Sequence, residues 1–491
     1  MTAKFLQLFV LYFFLFGNQS VYGQQKIRSS FQFHSSNSEL ERAISWAKEK
    51  ALSYAHDNSD PVGYWYEAAL PNREAFCMRD VCHQSIGAEV LGLSQHNLNM
   101  LLKFSQNISE SKDYASFWEI NRYNKPAPVD YENDTDFWYN LPANFDLIYT
   151  YKRLYDWTGN KTYLTHQDFQ NFTALSLDEY VMRWALSSQQ ITKRDRALHV
   201  QPAPTRFGKN RGIPTYNEGG RGESLLGIDM TASYIAALSA SIELLKAAGK
   251  TANIDLLAKK KSEELAFLNS FWWDVEKEQY KSIYYKDQTF DYFRVGKDQA
   301  YLHYLLYFDV LDNPQRIQKI IHWYEQNHTQ LIVELKSYLP ILFYQNNLSD
   351  TATEMLIELC NEKNLRRAYP ENSFTIIEHI TRGLMGVEAN AQGIETRSRI
   401  TQKNEWAHAK GITIRSSLID VKHFGKHKTQ FSNRGATDLY WKPKFEGHHP
   451  FIWVNNQKIK AIQQIENGLE LSYTLILVPK NESLTAEIKG D

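Results

Sequence analysis

From Leu40 to about Gly386 the chain repeats one pattern: long segments with apolar residues at helical spacing, separated by short polar turns, and no comparable series of alternating strands. Ile86, Val90 and Leu93 share a helical face after Asp80, and Leu147, Leu154 and Trp157 share another before Gly159-Asn160. The same periodicity recurs at 40–55, 175–186, 230–248, 254–271, 299–310, 317–324, 335–344, 352–360 and 374–384. That makes about twelve helices, enough for six hairpins set in a ring.

After Gly386 the pattern changes to alternation, in Ile412-Thr413-Ile414-Arg415, Thr429-Gln430-Phe431, Leu439-Tyr440-Trp441 and the run Leu469 to Leu475. Gly425, Asn433-Arg434-Gly435 and Asn467-Gly468 mark the turns. An antiparallel β-domain is expected there, with the boundary at 387/388.

At 491 residues, with 43% hydrophobic side chains, the chain can bury a large core. A net charge of -1 gives no general attraction for a polyanion, so nucleic acid is not an expected partner and an anionic substrate would need local recognition. Lys4, the apolar run Phe5 to Phe16 and the small residue Gly23 have the form of a secretory signal cleaved before Gln24. The expectation is an exported chain, secreted or periplasmic, with no integral membrane segment after cleavage and no lipoprotein cysteine. Cys77, Cys82 and Cys360 form neither a disulfide framework nor a zinc spacing and are expected as thiols buried in helices. No metal or organic cofactor is indicated.

Four polar clusters stand beside the helical pattern. In the first, residues 65–84, Arg73, Arg79, Asp80, His83 and Gln84 crowd the start of an apolar helix; Asp80, His83 and Gln84 are spaced to face one surface. The alternative makes Asp80 an N-cap beside an Arg79 ion pair. In the second, Trp138, Asn140 and Asn144 join an aromatic face to carboxamides, which suits a sugar's C–H face and hydroxyls, or else builds a helix-entry turn with Pro142.

The third cluster is a Gly-rich loop carrying Arg206, Arg211, Tyr216, Glu218, Arg221 and Glu223. Its arginines suit a carboxylate or sulfate, its acids suit proton transfer, and it lacks the phosphate-loop pattern. A solvated, charge-balanced loop is the alternative, and Asp229 just beyond is read as a helix cap. The fourth cluster, 369–379, places Glu371 just outside a helix begun by Pro370, with Glu378 and His379 further in; Glu378 and Arg382 are spaced to pair.

In this order the clusters resemble the six-hairpin glycosidase superfamily. The resemblance rests on Arg79-Asp80 with His83-Gln84, Asn140-Leu141-Pro142-Ala143-Asn144, Asp229-Met230-Thr231-Ala232, and Glu371 to Gly386 leading through Val387-Glu388 into strands. It implies an (α/α)6 barrel of helical hairpins followed by a small antiparallel β-sandwich-like domain, and an enzyme that degrades oligosaccharides, exo-acting. Signal peptide, barrel and β-domain are placed at 1–23, 24–387 and 388–491.

Hydrolysis needs an acid for the leaving oxygen and a second carboxylate to activate water or attack the anomeric carbon; Asp80, Glu223 and Glu371 are the candidates, with His83. Arg73, Arg79, Trp138, Asn140, Asn144, Arg206, Arg211, Tyr216, Arg221 and His379 are the candidate substrate contacts. Two other readings stay open. A lyase or dehydratase would neutralise a uronate with arginine and abstract a proton with His83, Tyr216 or a glutamate, and a non-catalytic protein would bind glycan only.

Overall fold

The computed structural model describes residues 27–191, 198–199, 212–218, 223–292, 301–364 and 366–489. The signal-peptide reading of the first 23 residues lies outside them.

Twelve principal helices carry the architecture: α1 Ser38–Ser53, α2 Met78–Val90, α3 Ser94–Gln106, α4 Ala143–Thr158, α5 Gln167–Leu177, α6 Ile228–Ala247, α7 Ile254–Ser270, α8 His303–Tyr307, α9 Pro314–Asn327, α10 Leu339–Gln345, α11 Ser349–Leu359 and α12 Pro370–Glu378. α12 continues as a π-helical segment, His379–Leu384. Local chemistry fixes the ends. Asn37 accepts from the amides of Glu39 and Leu40 to start α1, Asn313 and Pro314 start α9, and Gly159, at φ 68°, stops α4 where a left-handed residue is needed. α3, whose apolar residues Met100, Leu101 and Phe104 are buried, was not among the expected segments.

The even-numbered helices form a closed inner ring, each packed on the next, with the α12 and π segment returning to α2. The odd-numbered helices pack outside them. Position explains a sequence feature that amphipathicity alone misreads. Every residue of α2 except Arg79 is buried, polar ones included, because an inner helix has core on one side and the lumen on the other. α6 is the one described helix long and apolar enough to cross a membrane, and 78% of its apolar window is buried in this ring.

α2 and α12 approach at Gly87, where an added Cβ would meet the backbone carbonyl of Phe374. Backbone cannot step aside as a side-chain tip can. Gly87→Ala is therefore expected to cost about 3 kcal/mol, read as a lowered urea midpoint at unchanged m-value; an unchanged midpoint would show that the two helices separate freely.

Helical structure ends at Leu384 and strands follow from Glu388. A seven-stranded sheet runs in the spatial order 32–35, 406–414, 417–424, 428–433, 483–487, 451–454 and 457–460; a six-stranded sheet is built on 388–390, 393–397, 439–446, 469–473 and 462–466, with 476–478 also on 439–446. Pairing is antiparallel except between 393–397 and 439–446, which run parallel. The edge strand Gln32–Ser35 precedes every helix yet pairs with Trp406–Ile414, so the chain's start is stitched into the C-terminal sheet.

The expectation of no comparable series of strands among the helices also needs correction. Residues 198–199, 223–227, 273–274, 279–285 and 290–292 form a five-stranded sheet, whose Tyr280, Tyr284 and Tyr285 are buried. Cys77, Cys82 and Cys360 are free and buried, but Cys77 lies on a short strand rather than in a helix.

The β-layer covers the C-terminal ends of the inner helices. Trp157 Nε1 donates to the Thr413 carbonyl at 2.8 Å, the Arg415 amide donates to the Trp157 carbonyl at 2.8 Å, and His423 Nε2 meets the Met385 carbonyl at 3.0 Å. Among the described residues, the N-terminal ends are left uncovered by the β-layer.

Candidate active site

At that end the inner helices bring acids together in their first turns. Asp80 is the third residue of α2, Asp146 the fourth of α4, Asp229 the second of α6 and Glu371 the second of α12. Side chains of a first turn lean toward the helix N-terminus, where the free amides favour negative charge.

Asp80 accepts from Arg79 Nε and Nη2 at 3.1 and 3.0 Å through one oxygen and from the Tyr369 hydroxyl at 2.9 Å through the other. Glu371 Oε1 shares a hydrogen at 2.5 Å with His83 Nδ1, and His83 is stacked on Tyr338 with ring centroids 3.4 Å apart. Asp146 accepts from the Tyr216 hydroxyl at 3.1 Å, while Asp229 accepts from the Tyr216 amide at 2.6 Å and the Thr215 hydroxyl at 3.1 Å. Asp229 thus pins the incoming loop from inside the first turn; the cap position expected of it is taken by Gly227.

Burial sets the proton inventory. It pushes Asp80 up to about 7 against the pull of Arg79, Glu371 up to about 8 against the same guanidinium, and Asp146 up to about 7. The same desolvation drives His83 well below its ordinary value, so the His83–Glu371 contact is a neutral pair near pH 7 and not an ion pair. Glu218 is also raised, by burial first, with Arg79 opposing; Asn140 and Trp138 hydrogen-bond its carboxylate. Protein surrounds it, yet it keeps solvent-exposed surface, as a group on the wall of an open hollow does.

Beside it Arg73 Nη1 lies 2.8 Å from Glu119 and 3.9 Å from Asp130. Asp130 is pushed up to about 8 by burial and then by the charge of Glu119, so these two carboxyls hold one proton between them.

Several buried polar atoms here have no hydrogen-bond partner: Glu371 Oε2, Asp146 Oδ1, His303 Nε2 and both amide atoms of Gln84. Buried polar atoms are normally paired, so such a cluster fits a hollow built for polar ligands. Among the described residues no group of three or more His, Cys, Asp or Glu is arranged to hold a metal.

These protonated acids fix the sign of a stability dependence. Asp80, Asp146 and Glu371 have folded pKa values above their unfolded ones, so the folded chain binds more protons between about pH 4 and pH 8. The part of the stability that they supply therefore falls across that window as pH rises, each such carboxyl contributing about 1.4 kcal/mol for every pH unit that separates its folded from its unfolded pKa. Buried histidines with lowered pKa, His83 and His303 among them, act in the opposite sense below about pH 6.5, so the thermal midpoint is expected to drop from about pH 6.5 to pH 8, with a shallower slope in Asp80→Asn/Glu371→Gln. A midpoint that climbs over this range would contradict the burial of these acids.

Of the residues expected from sequence, Arg73, Arg79, Asp80, His83, Trp138, Asn140, Tyr216 and Glu371 are brought into this region. Glu223 is not. It sits on the strand Glu223–Gly227, half exposed, 3.4 Å from Lys286, and the glutamate that the Gly-rich loop sends to the cluster is Glu218. Asn144 is fully buried, tied to Tyr139, Ser176 and the Tyr114 carbonyl, which is a scaffold role. His379 is also displaced from expectation: it lies in the π segment, deep along the barrel. Arg206, Arg211 and Arg221 lie outside the described residues. Glu119, Asp130 and Asp146 were not among the expected residues, and Tyr369 was named only as part of the fourth cluster, because their partners are remote in the chain.

Helical ring and β-layer together make an (α/α)6 barrel followed by a β-domain, a fold shared with solved carbohydrate-active enzymes. The α-L-rhamnosidase of Streptomyces avermitilis complexed with L-rhamnose superposes with a TM-score of 0.60 at 10% identity, over 94% of this chain and 42% of that one. The α-L-rhamnosidases of Dictyoglumus thermophilum and Aspergillus terreus give 0.58 and 0.55 at 11% identity, each over 94% of this chain and 51% of theirs. The chain spans about half the length of these enzymes or less, and at such identity the likeness is one of fold. No protein-family model matches the sequence, and no curated protein matches it significantly.

Proposed function

We propose that this chain is an exported carbohydrate-active enzyme that hydrolyses glycosidic bonds of oligosaccharides from one end. The observation that carries the reading is the pairing of unlike carboxyls at the barrel mouth. Glu371 is buried, protonated near neutral pH and has a free Oε2, whereas Glu218 is open to solvent and held by Trp138 and Asn140. Both feel the charge of Arg79, and a buried acid and an open carboxylate are what protonating a leaving oxygen while activating water requires.

In this scheme Glu371 gives its proton to the glycosidic oxygen and Glu218 takes one from the attacking water. His83 holds Glu371 in place, and Arg79 with Asp80 shapes the floor between them. The Trp138 ring offers a sugar-stacking face. Arg73 and Arg79 already have carboxylate partners, which weighs against their serving as the uronate clamp of a lyase.

The test is incubation of the purified protein with neutral and uronate-containing oligosaccharides, α-L-rhamnosides included, followed by mass spectrometry in heavy-oxygen water. One labelled oxygen per cleaved bond and stepwise loss of terminal sugars support the reading. An unsaturated product without label would replace it by elimination, internal cleavage would remove the exo assignment, and binding without turnover would leave a glycan-binding protein.

A further inference from the structure

A cavity of about 340 Å³ opens at the end of the barrel opposite the acid cluster, where α4, α8, α10 and the π segment meet the β-layer. Glu378, on its wall, is seven residues after Glu371 on one helix, about 10 Å along the axis. The cavity is therefore not a branch of the mouth, although His83 separates the two and faces both.

Most charges lining it are matched. Glu378 accepts from Arg153 and Arg382 at 2.6 Å each, Arg382 also meets Glu388 at 3.0 Å, and Glu466 meets Lys444 at 2.7 Å. Besides Asp309, which has no ion-pair partner among the described residues, Arg399 is the exception. It is 6% exposed, donates Nη1 to the carbonyls of Arg382 and Gly383 at 3.0 and 2.5 Å, and has no carboxylate at ion-pair distance among the described residues. Its Nε has no partner, nor have His379 Nδ1 and Glu378 Oε2 on the same wall. Burial, and then the like charge of Arg397, hold the guanidinium down at about 10 against the more distant pull of Glu388, Glu466 and Glu446.

The rings of Tyr149 and Tyr307 supply flat apolar faces, and π-helical insertions of the His379–Leu384 kind recur at functional sites. Four carboxylates in the lining, Asp309, Glu378, Glu388 and Glu466, oppose a second negative charge on any occupant.

We propose that this cavity is a binding site for a monosaccharide-sized monoanion, a sugar acid whose carboxylate pairs with Arg399 and whose hydroxyls meet His379 and Glu378 over the tyrosine rings. A monocarboxylate supplies the direct ion-pair partner that Arg399 lacks, and polyhydroxyl chemistry matches a donor and an acceptor otherwise left unpaired in the interior. The site stands independently of catalysis at the mouth.

The experiment is calorimetric titration of the full chain with D-glucuronate, D-glucose and inorganic phosphate at neutral pH. One equivalent of glucuronate is expected to bind, with glucose and phosphate at least about tenfold weaker, as for loss of one charge-assisted pair. Arg399→Gln should weaken it by a similar factor. Because Arg399 also anchors helix carbonyls, Gln345→Trp, which fills the cavity from a half-buried position, serves as the second variant and should abolish binding. Trp138→Ala/Glu218→Gln, at the mouth, should leave it intact. No binding to the folded wild type overturns the proposal, as does binding that survives both cavity variants but is lost in the mouth variant; phosphate binding as tightly as glucuronate overturns the sugar-acid assignment.

Discussion

Glu371→Gln is expected to lower kcat on an oligosaccharide by about a thousandfold, because an amide of the same shape cannot supply the proton that the leaving oxygen needs. The substitution is well suited to the site. A carboxamide can keep the contact to His83 Nδ1, and the residue is neutral near pH 7 in either form, so folding is not the variable being changed. Two features separate an acid from a mere contact. With an aryl glycoside whose leaving group needs no protonation, the loss should shrink to about tenfold or less, whereas Glu218→Gln should be equally damaging with both substrates. The descending limb of the wild-type pH–rate profile should fall near the value of about 8 to which burial lifts Glu371, and it should vanish in Glu371→Gln. Retention of a tenth of the activity by Glu371→Gln would remove it from the acid role and move the assignment to Asp80, which burial places at about 7.

His83 is a positioning residue in this account. Its ring is clamped by Tyr338, and its imidazole is kept neutral, so replacing it disturbs where the acid points and at what pH it titrates. A shift in the basic limb of the profile distinguishes that role from simple packing, which would change the amount of folded enzyme and leave the limb in place.

The ring was legible because period and turns are local properties: Gly159 stops α4 and Pro370 opens α12 where the sequence indicates. Its closure through α2 and α12 was not, since nothing near Gly87 announces that Phe374 will press on it. The N-terminal strand Gln32–Ser35 was missed for the same reason, its partner lying some 375 residues away in Trp406–Ile414. Within the site, Asp80 and Glu371 could be read because each stands in the first turn of an apolar helix with a dense polar approach, and His83 because it follows Asp80 by three residues on the same helix. The choice between Glu218 and Glu223 could not, because only Gly219, Gly220, Arg221 and Gly222 lie between them and both have the composition of one loop. What distinguishes them is that Glu223 enters a strand opposite His199 while Glu218 meets Asn140 and Trp138. Asn144 had the composition of a sugar contact and the address of a scaffold amide.

Glu378 gives the largest expected effect on stability. It is buried between Arg153 and Arg382, and although burial alone would raise its pKa, the two guanidinium groups together hold it down at about 2. Its folded value lies below the unfolded one, so its contribution is present above about pH 4.5 and is lost as pH falls through about 2, worth roughly 3 kcal/mol at about 1.4 kcal/mol per pH unit. Glu378→Gln removes the charge without removing volume and leaves two buried cations without the anion they share. Breaking such a group from one side costs about 3–5 kcal/mol, the same order as the titration argument gives. The expected result is a urea midpoint lowered to match, with Arg153→Met less harmful because Arg382 still neutralises Glu378. Replacing all three at once with Arg153→Met, Glu378→Leu and Arg382→Met should recover much of the loss, since desolvation of the charges disappears along with their attraction. If the triple variant is as unstable as Glu378→Gln, the triad acts through shape or through its contacts with Glu388 and Tyr307, and not through charge balance.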